Sequence, residues 1–248
     1  MKNISQNNPE FYTSIAKYYD YIFPLKNPAF AFTKSLIDKK MSILDAGCAT
    51  GSLSIALSPY CHKIKGIDLD SEMIKMAQIK ATNYSNTTFE EGDLLNFLVD
   101  NQENDYDLII CYGNTLVHIL ALEDISNFLG QVFKLLKSGG RISIQILNYN
   151  YILNENITSL PTIENEHIRF IRNYNFKANL QLIDFNTELI LKETKERIKN
   201  TTELIAIKPD ELKSLLIKTG YKNIEMYSSF KRETYNNKEL PLIVTAEK

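Results

Sequence analysis

Three aspartates, each set beside a glycine, carry the clearest chemical signal in the sequence. Asp45 opens the run Asp45-Ala46-Gly47-Cys48-Ala49-Thr50-Gly51, Asp68 closes Gly66-Ile67-Asp68 23 positions later, and Asp93 follows Gly92. Glycine lets a backbone approach a ligand that a Cβ would obstruct, and a helix start beyond such a turn favours a negatively charged group. The Asp68 carboxylate can accept both hydrogen bonds from a ribose diol, and Asp93 or its neighbouring amide can read an adenine edge. Asp45 can meet a ligand or hold the turn. Acids and glycines at three corners therefore predict a nucleoside-shaped site. Further on, Asn114 and His118 stand one helical turn apart, and Tyr12, Tyr18 and Tyr19 cluster near the N-terminus. Asn114 can orient a nucleophile or cap a helix, and His118 can act as a base or pack as a hydrogen-bonded residue. The tyrosines can cover a ligand or form a core-facing stripe with polar tips.

Such residues need a scaffold that gathers strand ends. Met41–Leu44, Ile64–Ile67, Thr87–Glu90, Tyr106–Cys111 and Arg141–Leu147 read as strands. Between them lie helical patterns marked by Leu53, Ile55, Ala56 and Leu57, and by Met73, Met76 and Ala77 after a cap at Asp70 or Ser71. The clearest helix begins at Asp124, carries Ile125, Phe128, Leu129, Val132 and Leu136 on one face, and is expected to stop at Ser138-Gly139-Gly140. Repeated strand–helix–strand order predicts an open α/β sandwich, with ligands beyond the carboxyl ends of the strands. A helix from Pro209 to Gly220 and strands Tyr221–Tyr227 and Leu240–Thr245 finish the chain.

Two regions decorate this core. Asn8-Pro9 and Asn27-Pro28 read as caps followed by first-turn prolines, the first introducing Phe11, Ile15, Tyr18, Tyr19 and Ile22 at helical spacing. His167–Phe176, Leu180–Leu191 and Arg197–Ile207 read as extended segments with no helix between them, an antiparallel insertion. The expected organisation is an N-terminal helical lid (1–40), a core of 41–150 and 208–248, and a β insertion (151–207) that serves the acceptor site or an oligomer contact.

Length and composition bound the function. A chain of 248 residues suits one embellished domain, and 44 % apolar against 23 % charged residues is an ordinary globular balance. Lys+Arg 28 against Asp+Glu 30 gives a net charge of −2, which argues against affinity built on phosphate neutralisation. Arg169 and Arg172 can meet an acidic substrate or face solvent, and the Lys192–Lys199 stretch interleaves Glu193 and Glu196 as a solvated ribbon would. Cys48, Cys61 and Cys111 lack metal or disulfide spacing, so no metal site is expected. The longest apolar runs are strand-length and the N-terminus has no apolar signal core, so no membrane association and a cytoplasmic location are expected.

Leu44-Asp45-Ala46-Gly47-Cys48-Ala49-Thr50-Gly51, Gly66-Ile67-Asp68, Glu91-Gly92-Asp93-Leu94 and Tyr106-Asp107-Leu108-Ile109-Ile110 resemble the class I S-adenosylmethionine-dependent methyltransferases. That resemblance covers about residues 10–148 well. It implies a Rossmann-like, seven-stranded, mostly parallel sheet with helices on both faces, and S-adenosylmethionine as cofactor. It places Gly47 and its neighbours, Asp45 and Ala46 among them, on the methionine moiety, Asp68 on the ribose, Asp93 and Leu94 on the adenine, and Leu69 and Met73 beside the ring, with Gly51 and Cys111 also counted as cofactor-binding. The family usually has glycine where this chain has Ala49, an alanine that fits if φ is negative there.

Tyr112-Gly113-Asn114-Thr115-Leu116-Val117-His118 and Asn148-Tyr149 resemble the glycine/sarcosine N-methyltransferase-like small-molecule group, as does Tyr12-Thr13-Ser14-Ile15-Ala16-Lys17-Tyr18-Tyr19-Asp20 the segment covering the cofactor. By that resemblance Asn114 faces the acceptor and Tyr12 or Tyr19 caps the donor; if the acceptor is a hydroxyl, a base is needed and His118 or a tyrosine such as Tyr19 is the candidate. Enzymes of the group that use glycine carry an arginine before the Asn-Tyr pair; here that position is Leu147, which cannot pair an anion. The expected activity is methyl transfer to a small-molecule N- or O-nucleophile by direct in-line displacement, from a monomer or homodimer, with no nucleic-acid partner. A nicotinamide-dependent oxidoreductase and an RNA or protein methyltransferase are the alternatives. The first lacks glycine at Ala49 and Ser52 of its fingerprint; the second lacks the Asn/Asp-Pro-Pro-aromatic motif of adenine-modifying enzymes.

Overall fold

A computed structural model describes residues 9–96, 103–178 and 181–248, apart from the side chains of residues 9–11. Asn8, the Phe11 side chain and Leu180 therefore lie outside the described residues. Seven strands form one sheet: β1 (Ser42–Ala46), β2 (Lys63–Asp68), β3 (Thr87–Glu91), β4 (Tyr106–Cys111), β5 (Leu136–Leu147), β10 (Lys222–Tyr227) and β11 (Pro241–Glu247). Their order is β10-β11-β5-β4-β1-β2-β3. β1 to β5 run parallel, while β11 lies antiparallel to both β5 and β10. This is the Rossmann-like, mostly parallel sheet that the alternation predicts. β1 is buried at every position, as a strand covered on both faces must be. After β3 the chain crosses back to β4 on the other side of β1, so the strand order reverses between β1 and β4, where open α/β sheets place their ligands.

The helices are α1 (Pro9–Ile15), α2 (Tyr19–Ile22), α3 (Asn27–Lys34), α4 (Ser52–Leu57), α5 (Ser71–Lys80), α6 (Leu122–Leu135), α7 (Tyr149–Asn154) and α8 (Pro209–Thr219). α6 buries Ile125, Phe128, Leu129 and Val132 along one stripe. Asp70 caps α5 by accepting the Met73 amide at 2.9 Å. Among the described residues no helix is long and apolar enough to cross a membrane.

Several local expectations are corrected. α6 ends at Leu135, and Ser138-Gly139-Gly140 lies inside β5. Leu136 is fully buried and pairs with Tyr106, so its place in the sheet overrides the cap signal of the glycines. Lys26, and not Asn27, is the N-cap of α3. The insertion opens with α7, which Asn148 caps by accepting the Tyr151 amide at 3.3 Å, a helix that precedes the extended segments and does not lie between them. It also holds four strands: β6 (Ser159–Glu164), β7 (Ile168–Phe176), β8 (Leu182–Leu191) and β9 (Arg197–Ile205), in the order β6-β7-β8-β9 and antiparallel throughout. β6 escapes the pattern because its buried Leu160 stands among exposed residues and Pro161 interrupts the run.

This second sheet supports the N-terminal helices. Ile15 and Ile22 pack with Ile168, Phe170, Leu189 and Leu191 in one buried cluster. Asn200 donates to the Ser14 hydroxyl at 3.0 Å and Asn165 to the Tyr21 carbonyl at 2.8 Å. The N-terminal helices and the insertion pack as one unit.

Candidate active site

A cavity of about 280 Å³ opens at the carboxyl ends of β1, β2 and β4. Gly47, Ala49, Asp68, Asp93, Gly113 and Thr115 line it from the sheet. Tyr12 and Tyr19 line it from the N-terminal helices, Asp124 from the start of α6, and Thr202 from β9.

The first turn is built from tight backbone geometry. Gly47 has φ +84, and a Cβ there would meet Thr115 Cγ2 at 2.4 Å, so glycine lets the β1 turn close against the β4 loop. Its amide and that of Cys48 both donate to the Ile67 carbonyl, at 2.8 and 2.9 Å, locking the turn to β2. Ala49 sits at φ +47, which overturns the expected negative value. The left-handed turn has a use: it aims the Ala49 amide at Asp68 Oδ2, 2.8 Å away. Asp68 Oδ1 accepts from the Asp70 amide at 3.1 Å. Each carboxylate oxygen can accept twice, so both retain room for a diol. Burial pushes Asp68 up to about 6, against the pull of those amides. Leu69 beside it is 52 % exposed and faces the cavity, an apolar surface suited to a ring.

Asp93 lines the cavity while its carboxylate accepts from the Leu95 amide at 2.9 Å and from Asn96 Nδ2 at 3.3 Å. Met73 and Leu94 complete that wall. Opposite, the Tyr12 hydroxyl meets His118 Nε2 at 2.9 Å, with the rings edge-to-face. Burial lowers His118 to about 4, so the ring is neutral at physiological pH. Burial and the Asp68 charge push the Tyr12 phenol up, and burial above all does the same to Tyr19.

The structure thus gathers Tyr12, Tyr19, Gly47, Asp68, Leu69, Met73, Asp93, Leu94 and His118 around one space. Asp45, Ala46, Gly51, Cys111 and Asn114 are not on its surface. Asp45 is buried, accepts from the Ser54 hydroxyl at 2.6 Å and is raised by burial to about 7; it holds the turn to α4. Ala46 and Cys111 are sealed in the core. Gly51 lies under Phe89, whose Cζ would stand 2.4 Å from a Cβ there. Asn114 does not present its side chain to the cavity: Oδ1 accepts from the Leu147 amide at 2.9 Å and Nδ2 donates to the Tyr149 hydroxyl at 3.2 Å. Thr202 and Asp124 are among the cavity residues that sequence reasoning passed over, with Leu95, Ile119, Leu120 and Ala121. Asp124 reads only as a helix start, and no local motif marks a threonine on an insertion strand.

The profile of the methyltransferase domain family matches residues 37–234. The chain is a class I S-adenosylmethionine-dependent methyltransferase. The nicotinamide alternative falls with that assignment. The methyltransferase is 25 % identical over 194 residues to the glycine/sarcosine N-methyltransferase of Aphanothece halophytica, covering 78 % of this chain and 71 % of the relative. It is 25 % identical over 172 residues to the glycine N-methyltransferase of Mus musculus, covering 59 % and 56 %. Its fold is similar to that of an S-adenosylmethionine-dependent methyltransferase from Clostridium acetobutylicum, with a TM-score of 0.78 at 19 % identity over 96 % of this chain and 98 % of the other. The CcbJ methyltransferase of Streptomyces caelestis is similar to the same degree, with a TM-score of 0.78 at 18 % identity over 94 % and 95 %. S-adenosylmethionine is the methyltransferase's cofactor, and the open acceptors of Asp68 and the bare face of Leu69 are features that its ribose and adenine fit.

Proposed function

We propose that the protein transfers a methyl group to a small-molecule nucleophile by direct in-line displacement. The observation that carries this reading is that Tyr12 and Tyr19 from the N-terminal helices and Thr202 from the insertion line the same cavity as the strand-end residues, a partly covered site that favours a small acceptor over a polymer. Asp68 holds the ribose hydroxyls, Asp93 and the Leu94 amide meet the adenine, Leu69 and Met73 flank the ring, and the Gly47 turn borders the methionine moiety. When bound, S-adenosylmethionine supplies a methyl group already activated on a sulfonium. The residues of the chain need only align the nucleophile and exclude water. Tyr12 and Tyr19 cover the donor, and His118 orients Tyr12. A nitrogen acceptor suits this cavity better than a hydroxyl. Among the described cavity residues, burial makes His118 a weak base and the tyrosines weak acids, and a neutral amine, unlike a hydroxyl, attacks without first losing a proton. Three free, buried cysteines suit the reducing cytoplasm, where we place the enzyme as a monomer or homodimer.

The test is isothermal titration with S-adenosylmethionine and S-adenosylhomocysteine, followed by transfer of labelled methyl to fractionated small metabolites. Both ligands are expected to bind, and Asp68→Asn to weaken them at least about tenfold through loss of the charged acceptor. Binding unaffected by that substitution, or label passing to RNA and not to small molecules, would overturn the reading.

A further inference from the structure

Asp124 holds the third position of α6, counted from the N-cap Ala121. An acid at that position ordinarily serves the helix itself, by accepting from the N-cap amide and meeting the positive end of the helix dipole. In α8 the acid at the same position, Glu211, does so and accepts from the Lys208 amide at 2.8 Å. Asp124 makes no such bond. Among the described residues its carboxylate accepts no hydrogen bond and pairs with no cation, and it lines the cavity. The side chain is half-buried, so a ligand that displaces the water beside it must give it a donor in return.

The surroundings say which part of a ligand that is. Gln131 follows Asp124 by about two helical turns and so shares its face of α6. Gln131 Nε2 donates to the Leu95 carbonyl at 3.2 Å, which seats the segment after β3 against that face. Leu94, Leu95, Ile119, Leu120 and Ala121 line the cavity with Asp124 and Asp93, an apolar wall carrying two carboxylates. The exocyclic amine of adenine presents two N–H donors on one nitrogen, and each needs an acceptor once it leaves water. Asp93 has capacity for one of them: its oxygens accept from the Leu95 amide and Asn96 Nδ2, and each can accept again. Asp124 is the acceptor left for the other. A purine with a 6-oxo group carries an acceptor in place of that amine, and it would face two carboxylates with no donor between them.

We propose that Asp124 is a donor-specificity residue: together with Asp93 it takes the two N–H bonds of the exocyclic amine and makes the cavity selective for a 6-aminopurine over a 6-oxopurine. The inference rests on the donor placement given above. Asp124 touches neither the transferred methyl group nor its acceptor in this scheme.

The test titrates S-adenosylhomocysteine and its 6-oxo counterpart, S-inosylhomocysteine, calorimetrically into the whole chain. The wild type is expected to prefer the amino compound at least about a hundredfold, because the oxo compound leaves both carboxylates unpaired. Asp124→Asn keeps the size of the side chain and supplies an amide that can donate to a 6-oxo group. It is expected to weaken S-adenosylhomocysteine about fivefold or more, to tighten S-inosylhomocysteine, and so to narrow the preference at least about tenfold. Asp124→Ala is expected to narrow it too, and gives a second reading if Asp124→Asn does not fold. Glu123→Gln removes an equal charge from the same turn at an exposed position off the cavity, and is expected to leave both affinities within about twofold. A wild type that binds both compounds equally would overturn the proposal. So would Asp124 variants that keep the wild-type preference, or Glu123→Gln narrowing it as much, whatever happens to the absolute affinities. Failure of the wild type to bind S-adenosylhomocysteine would instead fall on the donor assignment.

Discussion

At Ala49 a residue with a Cβ occupies a left-handed conformation that glycine adopts without penalty, and the return is an amide aimed at Asp68. An alanine there is strained by about 1 kcal/mol, offset in part by the lower entropy of its unfolded chain. Ala49→Gly is therefore expected to raise stability by up to about 1 kcal/mol in urea unfolding; a loss of stability would contradict the strain. His118 provides a pH signature. Its folded pKa, about 4, lies below the unfolded value near 6.5. The unfolded chain then binds more protons between those values, so this residue's contribution to stability falls as pH drops from 6.5 towards 4. Asp45 and Asp68, raised to about 7 and about 6, act in the opposite sense and hide it in the wild type alone. The difference between wild type and His118→Gln isolates the effect. That difference is expected to shrink by about 2 kcal/mol over the window, discounted because part of the ring faces the cavity. A pH-independent difference would show that His118 titrates normally.

Among the elements, α2 ties the N-terminal helices to the core. Asp20 accepts from Thr50 at 2.6 Å, from Ser52 at 3.1 Å and from Lys80 at 2.8 Å, joining the lid to the first turn and to α5. Burial works against its ionisation, but Lys80 and the two hydroxyls outweigh burial and hold its carboxyl below the usual range. Thr13 adds a second tether, donating to Asp70 at 2.5 Å. Asp20→Asn keeps the shape and removes the charge. It is expected to speed S-adenosylhomocysteine dissociation several-fold in stopped-flow measurements, with little change in association, because the loosened lid opens more often. An unchanged dissociation rate would mean that the Ile15 and Ile22 contacts close the lid unaided. The pattern of α6 was readable from Ile125, Phe128, Leu129 and Val132, since helical periodicity is local. Its end was not, because burial of Leu136 beside Tyr106 is a long-range contact that overrode the glycine signal.

Across the whole molecule, lid and insertion share a core through Ile15, Ile22, Ile168, Phe170, Leu189 and Leu191. Replacing residues 155–200 by a short linker removes the last four of these. It is expected to abolish transfer and also to weaken S-adenosylhomocysteine in isothermal titration, since the lid loses its support; unchanged donor affinity would show that the lid docks on the main sheet alone. The sequence by itself determined the alternating α/β core, the strand-end corner where Gly47, Asp68 and Asp93 line one cavity, and the class of donor. Strand periodicity, a glycine turn and an acid at a strand end are all short-range, and each leaves a local mark. Only the tertiary structure decided that Asn114 is spent on Leu147 and Tyr149, that Asp45 and Cys111 sit behind the cavity, and that Thr202 reaches it from another sheet. Those outcomes depend on which faces of distant segments meet, and a residue's partner across two sheets is set by packing, which spacing along the chain does not encode.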